Sequence, residues 1–166
     1  MMGIADSVAR GDADFKEYEV KAAFLFHFAE FVEWPDAVFP DADAPITIGV
    51  LGDDPFGAVL DQIVEGKTVH QRKVVIKRSK QVEDLKGCQI LFVSKSEAAR
   101  DEQILASLGD ASILTVSEVD GFTRHGGIAS FYLDGSRVRF EINNDVAKRH
   151  GLKISSQLLS LAKVVR

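Results

Sequence analysis

Ile46 to Gly57, reading Ile-Thr-Ile-Gly-Val-Leu-Gly-Asp-Asp-Pro-Phe-Gly, constrains the fold more than any other stretch of this chain. Ile46, Ile48, Val50 and Leu51 make a short apolar strand and Gly52-Asp53-Asp54 a polar turn. Pro55 suits the first turn of a helix, where its fixed φ is already helical and its missing N–H is not needed. A strand that is apolar on both faces must be covered on both. The unit therefore requires further strands and helices, and it predicts a layered α/β domain with a crevice at the Gly-Asp-Asp end of the strand.

The pattern continues downstream. Phe56 to Val64 reads as a helix, with Phe56, Val59, Leu60 and Ile63 at i, i+3, i+4 and i+7 and Gly66 as its stop. Val74 to Ile76 marks a second strand and Gln81 to Lys86 a short helical connection. Ile90 to Val93 is a third strand, Ser96 to Leu108 a helix closed by Gly109, and Ile113 to Val116 a fourth strand. Strands that alternate with helices pair in parallel through right-handed crossovers. The last third differs: Ile128 to Leu133 and Ser136 to Ile142 flank Asp134-Gly135, a two-residue turn tolerant of positive φ, which predicts an antiparallel hairpin. Asn143 or Asn144 caps a helix that Gly151 closes, and Ile154, Leu158, Leu161 and Val165 form the stripe of a last helix opened by Ser155 or Ser156. The expected fold class is α/β, a mixed sheet of about six strands with a parallel core and a C-terminal antiparallel hairpin, flanked by helices on both faces.

Ahead of the sheet, residues 1–14 read as a flexible tail, and residues 15–166 as one domain with room for a single core. From Lys16 to Trp34 a helical projection places Lys16, Glu19, Ala23, His27, Glu30 and Glu33 on one polar arc. Tyr18, Phe24, Leu25, Phe26, Phe28, Phe31, Val32 and Trp34 cover the rest, interrupted by Glu17 and Lys21. That apolar arc is wider than one core contact needs. It admits two readings: two neighbours within the chain, or an aromatic surface with Phe24, Phe28, Phe31 and Trp34 as anchors for a partner or a second copy. His27, among the acids of the polar arc, reads as a solvated helix residue.

Charge and cysteine usage exclude several classes. Twenty Lys and Arg against 25 Asp and Glu give a net charge of −5, the wrong sign for a protein held by phosphate backbones or anionic lipid. The apolar run Ala22 to Ala29 is far below the ~20 residues of a membrane span. One cysteine, Cys88, can form no intrachain disulfide and reads as a small buried side chain before Ile90 to Val93. The four histidines, at 27, 70, 125 and 150, are dispersed and offer no zinc spacing, so no metal or cofactor is expected.

Two stretches are the candidates for chemistry. Adjacent carboxylates such as Asp53 and Asp54 can hold a hard cation or raise one another's pKa; Asp54 directly before Pro55 also stands where a helix cap belongs. In a parallel sheet the loops after the other strands share that edge, bringing Arg78-Ser79-Lys80, Ser94-Lys95-Ser96 and Ser117-Glu118 to one polar rim. Asp53, Asp54, Ser94 and Lys95 are thus the candidate ligand crevice. Gly49-Val50-Leu51-Gly52 with Gly57 lacks dinucleotide spacing, and no phosphate-loop motif occurs. His125-Gly126-Gly127 has no Gly-x-Ser-x-Gly elbow to serve and reads as a turn into the hairpin. No catalytic residue is assigned.

An ordered set of segments resembles the YfiR family. It comprises Lys21-Ala22-Ala23-Phe24-Leu25 leading to Phe31-Val32-Glu33-Trp34-Pro35, then Gly49 to Gly57, then Cys88-Gln89-Ile90-Leu91-Phe92-Val93-Ser94. It continues with Leu114-Thr115-Val116, Gly121-Phe122, Gly126-Gly127, Arg139-Phe140-Glu141-Ile142-Asn143 and Leu152 to Leu159. The resemblance implies a protein secreted across the inner membrane and without enzymatic activity. It further implies a periplasmic regulator that restrains a membrane diguanylate cyclase by binding its periplasmic part, and so controls cyclic-di-GMP signalling. The family's named member carries disulfides; with Cys88 alone, disulfide-dependent control is not carried over to this chain. A signal peptide is expected to have been removed.

The expectation is therefore a noncatalytic periplasmic regulator that forms a homodimer. It binds the periplasmic part of a diguanylate cyclase or sensor kinase, takes no nucleic acid and does not insert into a membrane. The rival expectation is a small-ligand receptor, or a small hydrolase, using the strand-end crevice.

Overall fold

In the computed structural model the chain runs α1 (Met2–Phe31), β1 (Val32–Glu33), β2 (Ile46–Leu51), α2 (Ala58–Val64), β3 (Thr68–Val69), β4 (Arg72–Ser79), β5 (Ile90–Val93) and α3 (Asp101–Leu108). It continues through β6 (Leu114–Ser117), β7 (Ala129–Asp134), β8 (Arg137–Asn143), α4 (Asn144–Arg149), β9 (Lys153–Ile154), α5 (Ser156–Leu161) and β10 (Lys163–Val165). The structure describes the backbone of residues 2–166 and the side chains of residues 14–166; the tail expected over residues 1–14 lies, Asp14 apart, outside the residues described in full.

The main sheet has eight strands in the order β10-β8-β7-β6-β5-β2-β4-β3. Strands β4, β2, β5, β6 and β7 are mutually parallel, and β7–β8 is the antiparallel hairpin, so the mixed sheet stands as expected. The strand count is higher because β3 and β10, two and three residues long, are too short to show an alternation in sequence. A separate small sheet pairs β1 with β9, Val32 opposite Ile154.

β2 lies between β4 and β5 and is apolar on both faces, as its sequence requires. On one face α1, α2, α4 and α5 enclose a core that includes Leu25, Phe28, Val32, Ile46, Ile48, Phe92 and Phe140. On the other, α3 and the 3₁₀ turns Val82–Leu85 and Phe122–His125 cover Leu51, Leu85, Leu91, Val93, Ile104 and Phe122.

Several boundaries move for local reasons. α1 ends at Phe31 rather than Trp34, because the chain turns into β1 ahead of Pro35. The helix after β2 begins at Ala58, with Gly57 as N-cap at φ +57°. Residues Lys95–Arg100 form a 3₁₀ segment, and only Asp101 onward is α-helical. The last helix stops at Leu161, and Val165 belongs to β10, where it pairs beside β8. In the hairpin Asp134 faces Arg137, so the turn residues are Gly135 and Ser136, with positive φ on Gly135 alone. That pattern belongs to a II′ rather than a I′ turn.

Candidate functional site

Lys21 and Glu17, the two charges that interrupt the apolar arc of α1, turn inward to the C-terminal end of β6. Lys21 is 2% exposed, and its ammonium donates to Glu17 Oε2 and, at 2.5 Å, to Glu118 Oε2. Tyr18 donates its hydroxyl to Glu118 Oε1 at 2.8 Å, and Lys95 Nζ lies 3.8 Å from that oxygen. Burial, and then the carboxylate beside it, push the Tyr18 phenol well above its usual range, so it stays a donor. Glu17, Lys21, Lys95 and Glu118 line a crevice of about 810 Å³ together with Asp120, His125, Phe131, Tyr132 and Leu133. A buried ion pair is weak evidence for stability, since desolvation offsets much of the attraction. Its position at the carboxyl end of a parallel strand is where ligands of such sheets bind.

Of the four residues placed by sequence in the strand-end crevice, only Lys95 joins this one. Asp54 accepts the N–H groups of Phe56 and Gly57 and the Nε–H of Arg78, so it fastens the turn before α2 and the end of β4. The same guanidinium reaches Asp61 and holds its carboxyl below the usual range. Asp53 is exposed, 3.7 Å from Lys80, and its N–H donates to Ser96 Oγ. Ser94 is buried and caps the 3₁₀ segment by accepting Ser96 N–H. Gly52, at φ +94°, has no room for a side chain: a Cβ there would stand 2.5 Å from Ser96 Oγ and 2.8 Å from Glu97. The loops after β2 and β5 therefore fill the space at the Gly-Asp-Asp end, and the open crevice lies beside β6.

His125 lines that crevice and a second, more apolar hollow of about 320 Å³ with Leu105, Ile113 and Ile128. Its Nδ1 lies 2.8 Å from buried Asp101, and its Nε2 3.6 Å from Glu102. The bond to Asp101 holds the imidazole pKa above its usual value. Gly127 is required by packing, because a Cβ there would stand 2.3 Å from the buried Phe122 ring. This is the structural use of the Gly126-Gly127 pair. Among the described residues, no three His, Cys, Asp or Glu side chains gather as metal ligands.

The aromatic arc of α1 meets its own chain. Phe28 stacks on Phe131 at 5.8 Å and meets Phe140 edge-on at 5.2 Å, while Phe24 approaches Phe140 at 5.1 Å. Trp34 is buried and donates Nε1–H to the Gln89 carbonyl at 3.0 Å. Phe24 and Phe31 remain half-buried. His27 is exposed, with Nδ1 2.8 Å from Glu30.

A family model described as YfiR/HmsC-like matches residues 18–163, from Tyr18 of the ion cluster to the first residue of β10. The chain belongs to the YfiR/HmsC-like family. Membership supports a regulatory role and agrees with the resemblance carried by the sequence segments. Among solved structures, a conserved domain protein from Vibrio cholerae O1 biovar El Tor is similar over 72% of this chain and 54% of its own, at 15% identity and a TM-score of 0.52. At that identity the likeness shows the fold alone, and this chain spans about half the length of the Vibrio protein. A comparison with curated proteins finds no significant match. No helix among the described residues is long and apolar enough to cross a membrane.

Proposed function

We propose that this chain is a noncatalytic regulator of the periplasm that binds the periplasmic part of a membrane diguanylate cyclase or sensor kinase and restrains its output, thereby controlling cyclic-di-GMP. The observation that carries the reading is the YfiR/HmsC-like match, which spans nearly the whole described domain. The partner surface on this reading draws on the half-buried Phe24 and Phe31, with Phe28 and Trp34 buried in the core of the same chain, and the working form is a homodimer. The test is export of the chain into the periplasm of a strain carrying a candidate cyclase, with cellular cyclic-di-GMP as the readout. The level falls when the chain is exported and not when it is retained in the cytoplasm; equal levels in both strains overturn the reading.

The crevice over Lys21 and Glu118 supports a second reading, a receptor for a small ligand. Ligand at a hundred times its dissociation constant stabilises a fold by about 2.7 kcal/mol. A thermal-shift screen of polar metabolites should then give a hit that Lys95→Ala weakens.

A further inference from the structure

β4 leaves one of its edges open. Its inner edge pairs with β2 from Ile46 opposite Val74 to Leu51 opposite Ser79. On its outer edge β3 covers only Arg72 and Lys73. Val69 and Arg72 flank the two-residue turn of that hairpin, so Arg72 directs its backbone N–H and C=O outward. By alternation Val74, Ile76 and Arg78 do the same. The Ser79 carbonyl, which accepts from Gly52 N–H, points inward as this phase requires. Among the described residues, the outward backbone groups of Ile76 and Arg78 have no partner.

The side chains along this edge define what can add to it. One face carries Lys73, Val75 and Lys77, all exposed, with Val75 at 39%; Lys80 follows just beyond the strand. The other carries Val74 and the half-buried Ile76. A second copy of the chain is a poor occupant. Antiparallel pairing of two β4 edges about Val75 sets Lys73 against Lys77, and like charges directly opposite destabilise a ladder. The opposite edge of the sheet, β8 and β10, is also basic, with Arg137, Arg139 and Lys163 exposed. Lysines on an edge guard against self-association, and that guard is selective by charge. It repels basic strands and admits an acidic one.

We infer that the open edge of β4, from Val75 to Arg78, is a docking site for an extended acidic segment of a partner protein. The segment adds in line with β3, with an aliphatic residue opposite Val75 and a carboxylate opposite Lys77. Main-chain hydrogen bonds supply the affinity, and the lysines select the charge. The inference rests on the proposal that the chain acts by binding a protein.

A short synthetic peptide alternating valine with glutamate is the probe, and its valine–lysine counterpart is the control. Amide resonances are followed on the full chain at up to millimolar peptide. The acidic peptide should shift the amides of Ile76 and Arg78 and slow their hydrogen exchange, and added salt should weaken the effect. Lys77→Glu should weaken the acidic peptide several-fold and strengthen the basic one. Ile76→Pro removes an outward N–H at an edge position where proline is tolerated, and should abolish binding. No response at those two amides, or equal response to both peptides, overturns the inference; if Ile76→Pro fails to fold, Lys77→Glu decides alone. Peptide binding without any effect of the chain on cyclic-di-GMP would leave the edge in place and remove the cyclase as its target. Full restraint of the cyclase by a folded Lys77→Glu chain, with unchanged peptide binding, would remove the edge and leave the regulator.

Discussion

Lys21 Nζ donates to Glu118 Oε2 at 2.5 Å, tying the inward face of α1 to the end of β6 across 97 positions of the chain. The Lys21 and Glu118 side chains are only 3% and 4% exposed. Removing Lys21 therefore leaves the buried Glu118 carboxylate with only the Tyr18 hydroxyl and the more distant, exposed Lys95 ammonium. Lys21→Met should cost about 3–5 kcal/mol, and adding Glu118→Leu should recover much of that loss. Urea denaturation of the two single variants and the double variant gives the coupling directly. Additive costs would mean that the two charges do not meet in solution.

Phe28 and Phe31 separate packing from surface. Phe28 is 1% exposed between Phe131 and Phe140, so Phe28→Ala should destabilise by about 3–5 kcal/mol, the range of large-to-small changes in a core. Phe31→Ser, at a half-buried position, should cost far less and leave the chain folded. Phe31→Ser is then the variant to carry into the cyclic-di-GMP measurement, since Phe28→Ala would confuse unfolding with loss of a surface.

Much of this fold is legible because the strands of the parallel core are apolar on both faces and glycine or proline punctuates them. Ile46 to Leu51 and Ile90 to Val93 are found at the expected residues. β3 and β10 were invisible because two or three residues carry no period. The ion cluster had a signal that helical projection displays but does not interpret: Glu17 and Lys21, four residues apart, stand inside an apolar arc. A charge in such a place needs a distant partner, and Glu118 has no local pattern to announce it. Asp53 and Asp54 were conspicuous in sequence, yet the structure uses Asp54 to hold its own turn and leaves Asp53 near Lys80.

The turn between β3 and β4 stores strain. His70 and Gln71 sit at φ +52° and +68°, the only non-glycine residues with positive φ among those described. A two-residue hairpin of this form favours Asn-Gly. Left-handed backbone costs an ordinary residue about 1–2 kcal/mol. The pair His70→Asn and Gln71→Gly should stabilise the chain by about 1 kcal/mol, after allowing for the greater freedom of glycine in the unfolded state. The midpoint of urea unfolding should rise with no change in slope.

The His125–Asp101 contact predicts a direction with pH. The bond to Asp101 raises the folded pKa of His125, aided by the charges of Asp101 and Glu102 and opposed by desolvation and Arg124. A folded pKa above the unfolded value of about 6.5 gives stabilisation that is complete below that pH and is lost as pH rises through the folded pKa. The stability difference between the native chain and His125→Gln should therefore be larger near pH 5.5 than near pH 8.5. Denaturation at the two pH values, with a resonance titration of the His125 ring, measures it. A difference that grows with pH would reverse the assignment.

Cys88 should be silent until the domain opens. Its side chain packs with Leu51, Leu85, Leu91 and Val93 in the second core, and burial pushes its thiol pKa up to about 12. The thiolate is the reactive form, so a raised pKa and lack of access both suppress reaction. A disulfide reagent at neutral pH should label the native chain only as fast as the core opens, and the labelling rate should climb with sub-denaturing urea. Cys88→Ala leaves a small void, whereas Cys88→Ser buries a hydroxyl in an apolar site at a cost of about 1–3 kcal/mol. Serine should therefore be the more destabilising of the two in denaturation, and rapid native-state labelling would show that this part of the core is open to solvent.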